Sequence, residues 1–314
     1  MSLRTKCAVD FSLHVRICAK LGAKRSMDKH QLDKLIEETF HSLTPTLQRA
    51  ARFILDHPNE VALQSMRTVA GMAKLQPASM LRLARQLGFG GYEELRDCFR
   101  RWLTERDSMF TQRADALRKR SKGDQNTGLI SEMLSAEQAN LEDTFSPERY
   151  EQILAAHGLL TSARHIYVVG LRSLFPAAYY FSYVCGMFLN NTTLLSGIGG
   201  AFADELRRIG PEDALVVFSY HPYAQDALRA VQFSREHGAK IVAITDSPVS
   251  PVAAPSDVLI VVRNATPSLF PSVVPALAVS QTLAALLVAN GSEDSLQKIA
   301  NSEAQLKQFS VYVE

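Results

Sequence analysis

Five short runs rich in apolar and β-branched residues recur between positions 165 and 262, each followed by enough chain for a helix or a crossover loop. They read HIYVVG (165–170), TTLLS (192–196), ALVVFSY (214–220), KIVAITD (240–246) and DVLIVV (257–262). Nearly continuous apolar character, without the alternation of a half-wet sheet, requires cover on both faces. Strands that alternate with helices connect by right-handed crossovers, which makes the sheet parallel and places helices on either side of it. The expected architecture over 131–291 is therefore a three-layer α/β sandwich with a five-stranded parallel sheet in flavodoxin-like order, closed by a C-terminal helix over 292–314.

The first hundred residues have a different texture. At 314 residues two domains are expected, and the N-terminal one is all-α. Apolar residues recur at helical spacing over Asp28 to His41 and Thr44 to Asp56, with His57-Pro58 closing the second helix. Further helices are expected from Ser65 to Lys74, Pro77 to Leu87 and Gly91 to Thr104. The domain is bounded at 27–105, after a weakly structured extension over 1–26 in which Met27 is an alternative start. A linker is placed over 106–130, its flexible joint at KRSKGDQNTG (119–128), which lacks any large apolar residue and follows a helix that extends through Arg118. An intervening helical stretch is expected beyond it, over about Ser131 to Ala156.

A hydrophobic share of 46% is that of a globular chain. The richest apolar run, Val273 to Ala289, is broken by Pro275, Ser280, Gln281 and Thr282, so no membrane span is expected and the protein should be soluble. Cys7, Cys18, Cys98 and Cys185 form neither a CxxC nor a regular framework, which suggests reduced thiols in the cytoplasm and no zinc site. No cofactor is expected.

Charge is divided along the chain. Residues 1–122 hold 23 Lys plus Arg against 13 Asp plus Glu, and the remainder holds 11 against 19, so halves of +10 and −8 sum to +2. Only the first half is suited to a polyanion. Within it, AGMAKLQPASMLRLARQLGF (70–89) reads as a helix-turn-helix. Val69, Ala70, Ala73, Leu75, Met80, Leu83, Ala84 and Leu87 face inward, and Pro77 stands near N1, where its missing N–H costs nothing. Gln76, Ala78, Ser79, Arg82, Arg85 and Gln86 are left for base edges or phosphates in the major groove of double-stranded DNA. Arg67, Lys74 and Tyr92 are assigned to the DNA backbone. Lys74 occupies the turn position where glycine is usual.

The stretches LTPTLQRAARFILDHPNEVALQSM and LRLARQLGFGGYEELR resemble the N-terminal domain of RpiR-like bacterial transcriptional regulators. The resemblance implies that the α/β half is a sugar isomerase (SIS) domain that senses a carbohydrate derivative. It also implies assembly through that half, as a homodimer or homotetramer on a palindromic operator. In open parallel sheets ligands bind beyond the carboxyl ends of the strands. The loops there carry Arg172 and Ser173 after the first strand, Ser196 after the second, and Ser219, Tyr220, His221 and Tyr223 after the third. These are the candidate effector contacts, with Asp246, Ser247 and Ser250 behind them.

The family's third-strand loop resembles S-x-S-G-x-T, whereas this chain has SYHPYA (219–224), which keeps only Ser219 of the phosphate-binding hydroxyls. The expected effector is a small anionic metabolite: a sugar phosphate, a sugar acid or another carboxylate, the altered loop weighing against the phosphate ester. The aromatic run Phe175, Tyr179, Tyr180, Phe181, Tyr183 and Phe188 is expected to pack on the sheet or against another subunit. Two rival readings are an aldose-ketose isomerase, with Glu205 or His221 as base, and an oligomerisation module without a ligand.

Overall fold

The structure is a computed structural model that describes residue 27 and residues 29–105, 109–120 and 126–313. The extension over 1–26 lies outside the described residues. Two compact units divide between Met109 and Phe110.

The first unit is helical: α1 (Lys29–Thr39), α2 (Pro45–Asp56), α3 (Pro58–Leu63), α4 (Met66–Met72), α5 (Pro77–Gln86) and α6 (Tyr92–Glu105). In α2 the i, i+3, i+4, i+7 set Leu47, Ala50, Ala51 and Ile54 is buried. The residue pair expected only to end α2 also starts a helix. His57 closes α2 and Pro58 takes N1 of the six-residue α3, the position at which proline's fixed φ and absent N–H are tolerated.

Ser65 caps α4, its hydroxyl accepting the Thr68 N–H at 3.2 Å. At the other end of α4, Lys74 N–H bonds Gly71 C=O at 3.0 Å and Leu75 N–H bonds Ala70 C=O at 2.8 Å. That pair of bonds is a Schellman motif with Lys74 in the left-handed region, φ 53°. The same motif ends α5, with Gly88 at φ 88° and Phe89 N–H bonded to Ala84 C=O at 3.0 Å. Helix α5 buries Met80, Leu83 and Ala84 at 0% exposure, beside Val69 and Ala70 of α4.

The second unit begins with α7 (Met109–Arg120, with Met109 on the boundary), α8 (Asn126–Thr144) and α9 (Tyr150–Ser162). The helix expected to extend through Arg118 is α7, and the joint expected over 119–128 is helical at both of its ends. Helix α7 is anchored by the Phe110 and Phe270 rings, 4.9 Å between centroids, and by Arg113 donating to the Leu269 carbonyl at 3.3 Å. The helical stretch expected to Ala156 consists of α8 and α9, separated at Phe145 to Arg149, where Pro147 starts a 3-10 turn.

There follow β1 (Ile166–Gly170), α10 (Phe175–Cys185), β2 (Thr192–Leu194), α11 (Phe202–Glu205), β3 (Ala214–Ser219), α12 (Gln225–Glu236), β4 (Lys240–Thr245), β5 (Val258–Val261), α13 (Val274–Ala289) and α14 (Glu293–Gln308). The sheet is wholly parallel in the order β2-β1-β3-β4-β5, with Val168 in register with Leu194 and Val216, and Val216 with Val242. This is the expected flavodoxin-like three-layer order. Val168, Val216, Val242 and Ile260 meet α9, α10 and α13 in one core, while Val169, Val217 and Ala243 meet α12, Leu206 and Ile209 in the other. Both faces of β1 and β3 are buried throughout, the physical reason for their unbroken apolar runs.

At the amino ends of the strands, Arg164 grips Asp213 through two hydrogen bonds of 2.9 and 2.7 Å, and the Gly210 N–H adds a third at 2.8 Å. Burial raises the Asp213 pKa, but these bonds and the Arg164 charge outweigh it and hold the carboxyl below the usual range. Among the described residues no single helix is long and apolar enough to cross a membrane. The apolar α13 instead buries Ala276, Val279, Leu283, Ala284 and Leu287 in the core.

Candidate functional site

Two surfaces carry the candidate chemistry. On the first unit, the buried face of α5 leaves Ala78, Arg82, Arg85 and Gln86 exposed and Ser79 half-buried, with Gln76 exposed at the N-cap. No acidic side chain lies within α5, so the positive end of its dipole and its two guanidinium groups form one positive surface. Arg67, in α4, and Lys74, in the turn between α4 and α5, are exposed. Arg49, a residue the sequence reading did not single out, brings its guanidinium to 3.5 Å from the Lys74 carbonyl. Its position followed only from the crossing of α2 over the turn.

Tyr92 does not belong to this surface. It is 3% exposed, and its hydroxyl is enclosed without a hydrogen-bond partner. Burial pushes its pKa up to about 12, with Arg96 pulling the other way. The phenol packs in the core at the start of α6, so it is not positioned to touch a phosphate, contrary to the expectation.

On the second unit, the loops after β1 and β3 meet at a small cavity of about 40 Å³. Arg172, Ser173, Ser219, Tyr220 and His221 line it together, with Pro222, Phe110, Phe270 and Pro271. The Leu171 to Leu174 loop departs sharply because Gly170 has no Cβ: one built there would lie 2.7 Å from the Leu174 carbonyl oxygen and 2.8 Å from Ala178 Cβ. Arg172 adopts φ 56°, is exposed, and has no carboxylate paired with it among the described residues. Ser219 and Tyr220 are 3% and 6% exposed, and neither hydroxyl has a well-formed hydrogen bond. Burial, then the nearby Asp246 charge, raises the Tyr220 pKa well above that of an ordinary phenol, with the Ala276 amide acting against them. Tyr220 is thus a neutral donor.

Asp246, at the end of β4, organises the third-strand loop from behind. One carboxylate oxygen accepts the His221 N–H at 3.0 Å and the other accepts the Tyr223 hydroxyl at 3.2 Å. Burial raises its pKa, partly offset by those bonds. Tyr223 consequently stands behind the cavity and makes an edge contact with the exposed His221 ring, 5.8 Å between centroids.

Ser196 does not line the cavity. Its hydroxyl donates to Glu205 at 3.1 Å, and the other Glu205 oxygen accepts the Gly197 N–H at 3.1 Å. Both oxygens of one candidate isomerase base are therefore engaged in holding the β2 loop. Phe110 and Phe270 had no signal in the sequence: one fell in the expected linker and the other in a loop more than 150 residues away.

On α10 the aromatic run divides. Phe181 and the following Phe188 are buried, whereas Phe175, Tyr179 and Tyr183 are exposed and stacked at 6.0 and 6.2 Å.

Residues 30–101 match the helix-turn-helix domain of the rpiR family and residues 159–289 match the SIS domain. An uncharacterized HTH-type transcriptional regulator of Caldanaerobacter subterraneus subsp. tengcongensis is 23% identical over 241 residues, 73% of this chain and 79% of the relative. A second such regulator, of Haemophilus influenzae, is 24% identical over 237 residues, 73% of this chain and 78% of the relative. Among solved structures, the sugar isomerase domain of an RpiR transcription factor from Sphaerobacter thermophilus matches at 26% identity and TM-score 0.52, covering 56% of this chain and 98% of that one. The Vibrio vulnificus NanR protein, complexed with ManNAc-6P, shares the fold at 17% identity and TM-score 0.51 over 90% of this chain and 99% of its own. With its helix-turn-helix unit ahead of a five-stranded SIS sheet, the chain belongs to the RpiR-like transcriptional regulators.

Proposed function

We propose that this regulator reads duplex DNA with α5 and is switched by a small anionic metabolite held in the cavity beyond β1 and β3. The observation that carries the first half is the pairing of Arg82 and Arg85 on the one face of α5 that the core leaves free. Guanidinium groups at that spacing bridge guanine O6 and N7, Gln76, Ser79 and Gln86 reach neighbouring edges or phosphates, and Arg67 and Lys74 hold the backbone. Ala78 leaves room for a thymine methyl. The second half is supported by the convergence of Arg172 with Ser173, Ser219, Tyr220 and His221 on one cavity.

Effector binding shifts the balance between arrangements of a homodimer or homotetramer on a palindromic operator, by as much as its affinity differs between them. The exposed Phe175, Tyr179 and Tyr183 stack offers an apolar face to another subunit. Of the two candidate isomerase bases, Glu205 is occupied by Ser196 and Gly197 and does not line the cavity, which leaves His221 alone there.

Selection of bound fragments from random DNA, with the wild type and with Arg82→Ala and Arg85→Ala, tests the reading. Each substitution is expected to lose about 1–3 kcal/mol of base discrimination while keeping non-specific binding. Unchanged selectivity in both variants refutes α5 as the reading element.

A further inference from the structure

We infer that the effector is a polyhydroxylated carboxylate without a phosphate group, an inference that rests on the effector-binding role of the same cavity and narrows its ligand class. Phosphate recognition by a strand-to-helix loop needs several free N–H and O–H donors converging on one oxygen cluster. In SYHPYA three of those donors are withdrawn. The His221 N–H is bonded to Asp246 at 3.0 Å, residue 222 is a proline without an N–H, and the Tyr223 hydroxyl is bonded to Asp246 at 3.2 Å. The Asp246 carboxyl lies directly behind the loop, and Asp226, paired with Arg229 at 2.8 Å, occupies the first turn of α12, where an incoming dianion would benefit from the helix dipole. A phosphomonoester would meet fewer free donors in this loop than a phosphate cradle supplies.

What remains available points to another chemistry. Ser219 and Tyr220 bring two enclosed hydroxyls to the end of β3, that of Tyr220 beside the Ala276 amide, each able to donate and accept, which matches ligand hydroxyl groups. A ligand that pairs with the Ser219 hydroxyl gains affinity on that account. Arg172 supplies a guanidinium that pairs with no carboxylate among the described residues, and its fork matches a carboxylate as well as it matches a phosphate. Phe110, Phe270, Pro222 and Pro271 give the apolar walls against which the C–H face of a polyol lies.

The test is titration of the full chain with D-gluconate and other C5 and C6 sugar acids, D-glucose, D-glucose 6-phosphate and inorganic phosphate, read by calorimetry and by thermal shift. At least one sugar acid is expected to bind at least tenfold tighter than either phosphate compound, and Arg172→Ala and Tyr220→Phe are each expected to weaken it at least tenfold. The double substitution H221S/P222G, which restores a hydroxyl and an N–H, is expected to improve D-glucose 6-phosphate binding at least tenfold. Wild-type binding of D-glucose 6-phosphate as tight as any sugar acid overturns the inference, as does a sugar-acid panel that leaves the protein unbound. D-Glucose binding as tightly as its acid removes the role given to Arg172 and equally overturns it. Should H221S/P222G fail to fold, the wild-type comparison still decides. Failure of the DNA-reading role shows itself separately, as loss of DNA retention measured without any metabolite.

Discussion

Replacing Lys74 by glycine should make the protein more stable and a poorer DNA binder, through two independent physical effects at one position. Lys74 holds φ 53° at the end of α4, inside a Schellman motif closed by the Lys74 to Gly71 and Leu75 to Ala70 bonds. An L-residue in that region costs roughly 1–2 kcal/mol. Glycine escapes the cost but loses about 0.5–1 kcal/mol of extra unfolded-chain entropy, so Lys74→Gly should gain about 0.5–1 kcal/mol. The side chain removed is an exposed cation on the α5 side of the unit, near Arg49, and a lost phosphate contact lowers the slope of log K against log salt by about 0.9.

The sole tryptophan, Trp102, lies in α6, so its fluorescence during urea unfolding reports the helical unit selectively. Binding of random-sequence duplex across a salt series, read by anisotropy, gives the slope. Lys74→Ala separates the two effects, because it removes the charge and keeps the left-handed strain. It should match the glycine variant in DNA binding and gain no stability. A glycine variant less stable than wild type, or a salt slope unchanged in both variants, refutes the reasoning.

Two further substitutions test the second unit. Gly170→Ala places a Cβ 2.7 Å from the Leu174 carbonyl oxygen and 2.8 Å from Ala178 Cβ. It should cost about 3 kcal/mol in urea unfolding and displace the Arg172 loop; a loss below about 1 kcal/mol contradicts the packing. Asp213 has a depressed pKa, so its contribution is fully present above the unfolded value of about 3.9 and is lost as pH falls through the folded one. Asp213→Asn should be weaker than wild type by about 2 kcal/mol at pH 7, with the difference shrinking on acidification below about pH 4, in urea titrations from pH 3 to 7. A difference that stays constant across that range excludes the carboxylate's charge as its source.

The sheet was legible because strands buried on both faces leave an unbroken apolar signature. Each of the five expected runs contains its strand, trimmed by one or two residues at its ends. The helix-turn-helix was legible for a similar reason: Met80, Leu83, Ala84 and Leu87 repeat at the helical period and are all buried. Periodicity failed where the element was too short to show a period, as in the six residues of α3. Tyr92 heads the apolar repeat Tyr92, Leu95, Phe99 and Trp102, and its hydroxyl, not its place in that repeat, led to its assignment to the DNA backbone. The candidate cavity was half legible. Arg172, Ser219 and Tyr220 follow from the rule for strand ends, but the capture of the His221 N–H by Asp246 and the approach of Phe110 to Phe270 depend on long-range geometry that no local pattern encodes.

The aromatic pair at the rim has a consequence for how the molecule is strung together. About 40 Å³ houses a few water molecules and nothing the size of a sugar. Phe110 and Phe270 are two of the walls of that space, and Phe110 is the second residue of α7 and the first residue of the second unit. One side chain thus both opens the unit's chain and lines its chamber, so a substitution at the unit's very beginning reaches the candidate site directly.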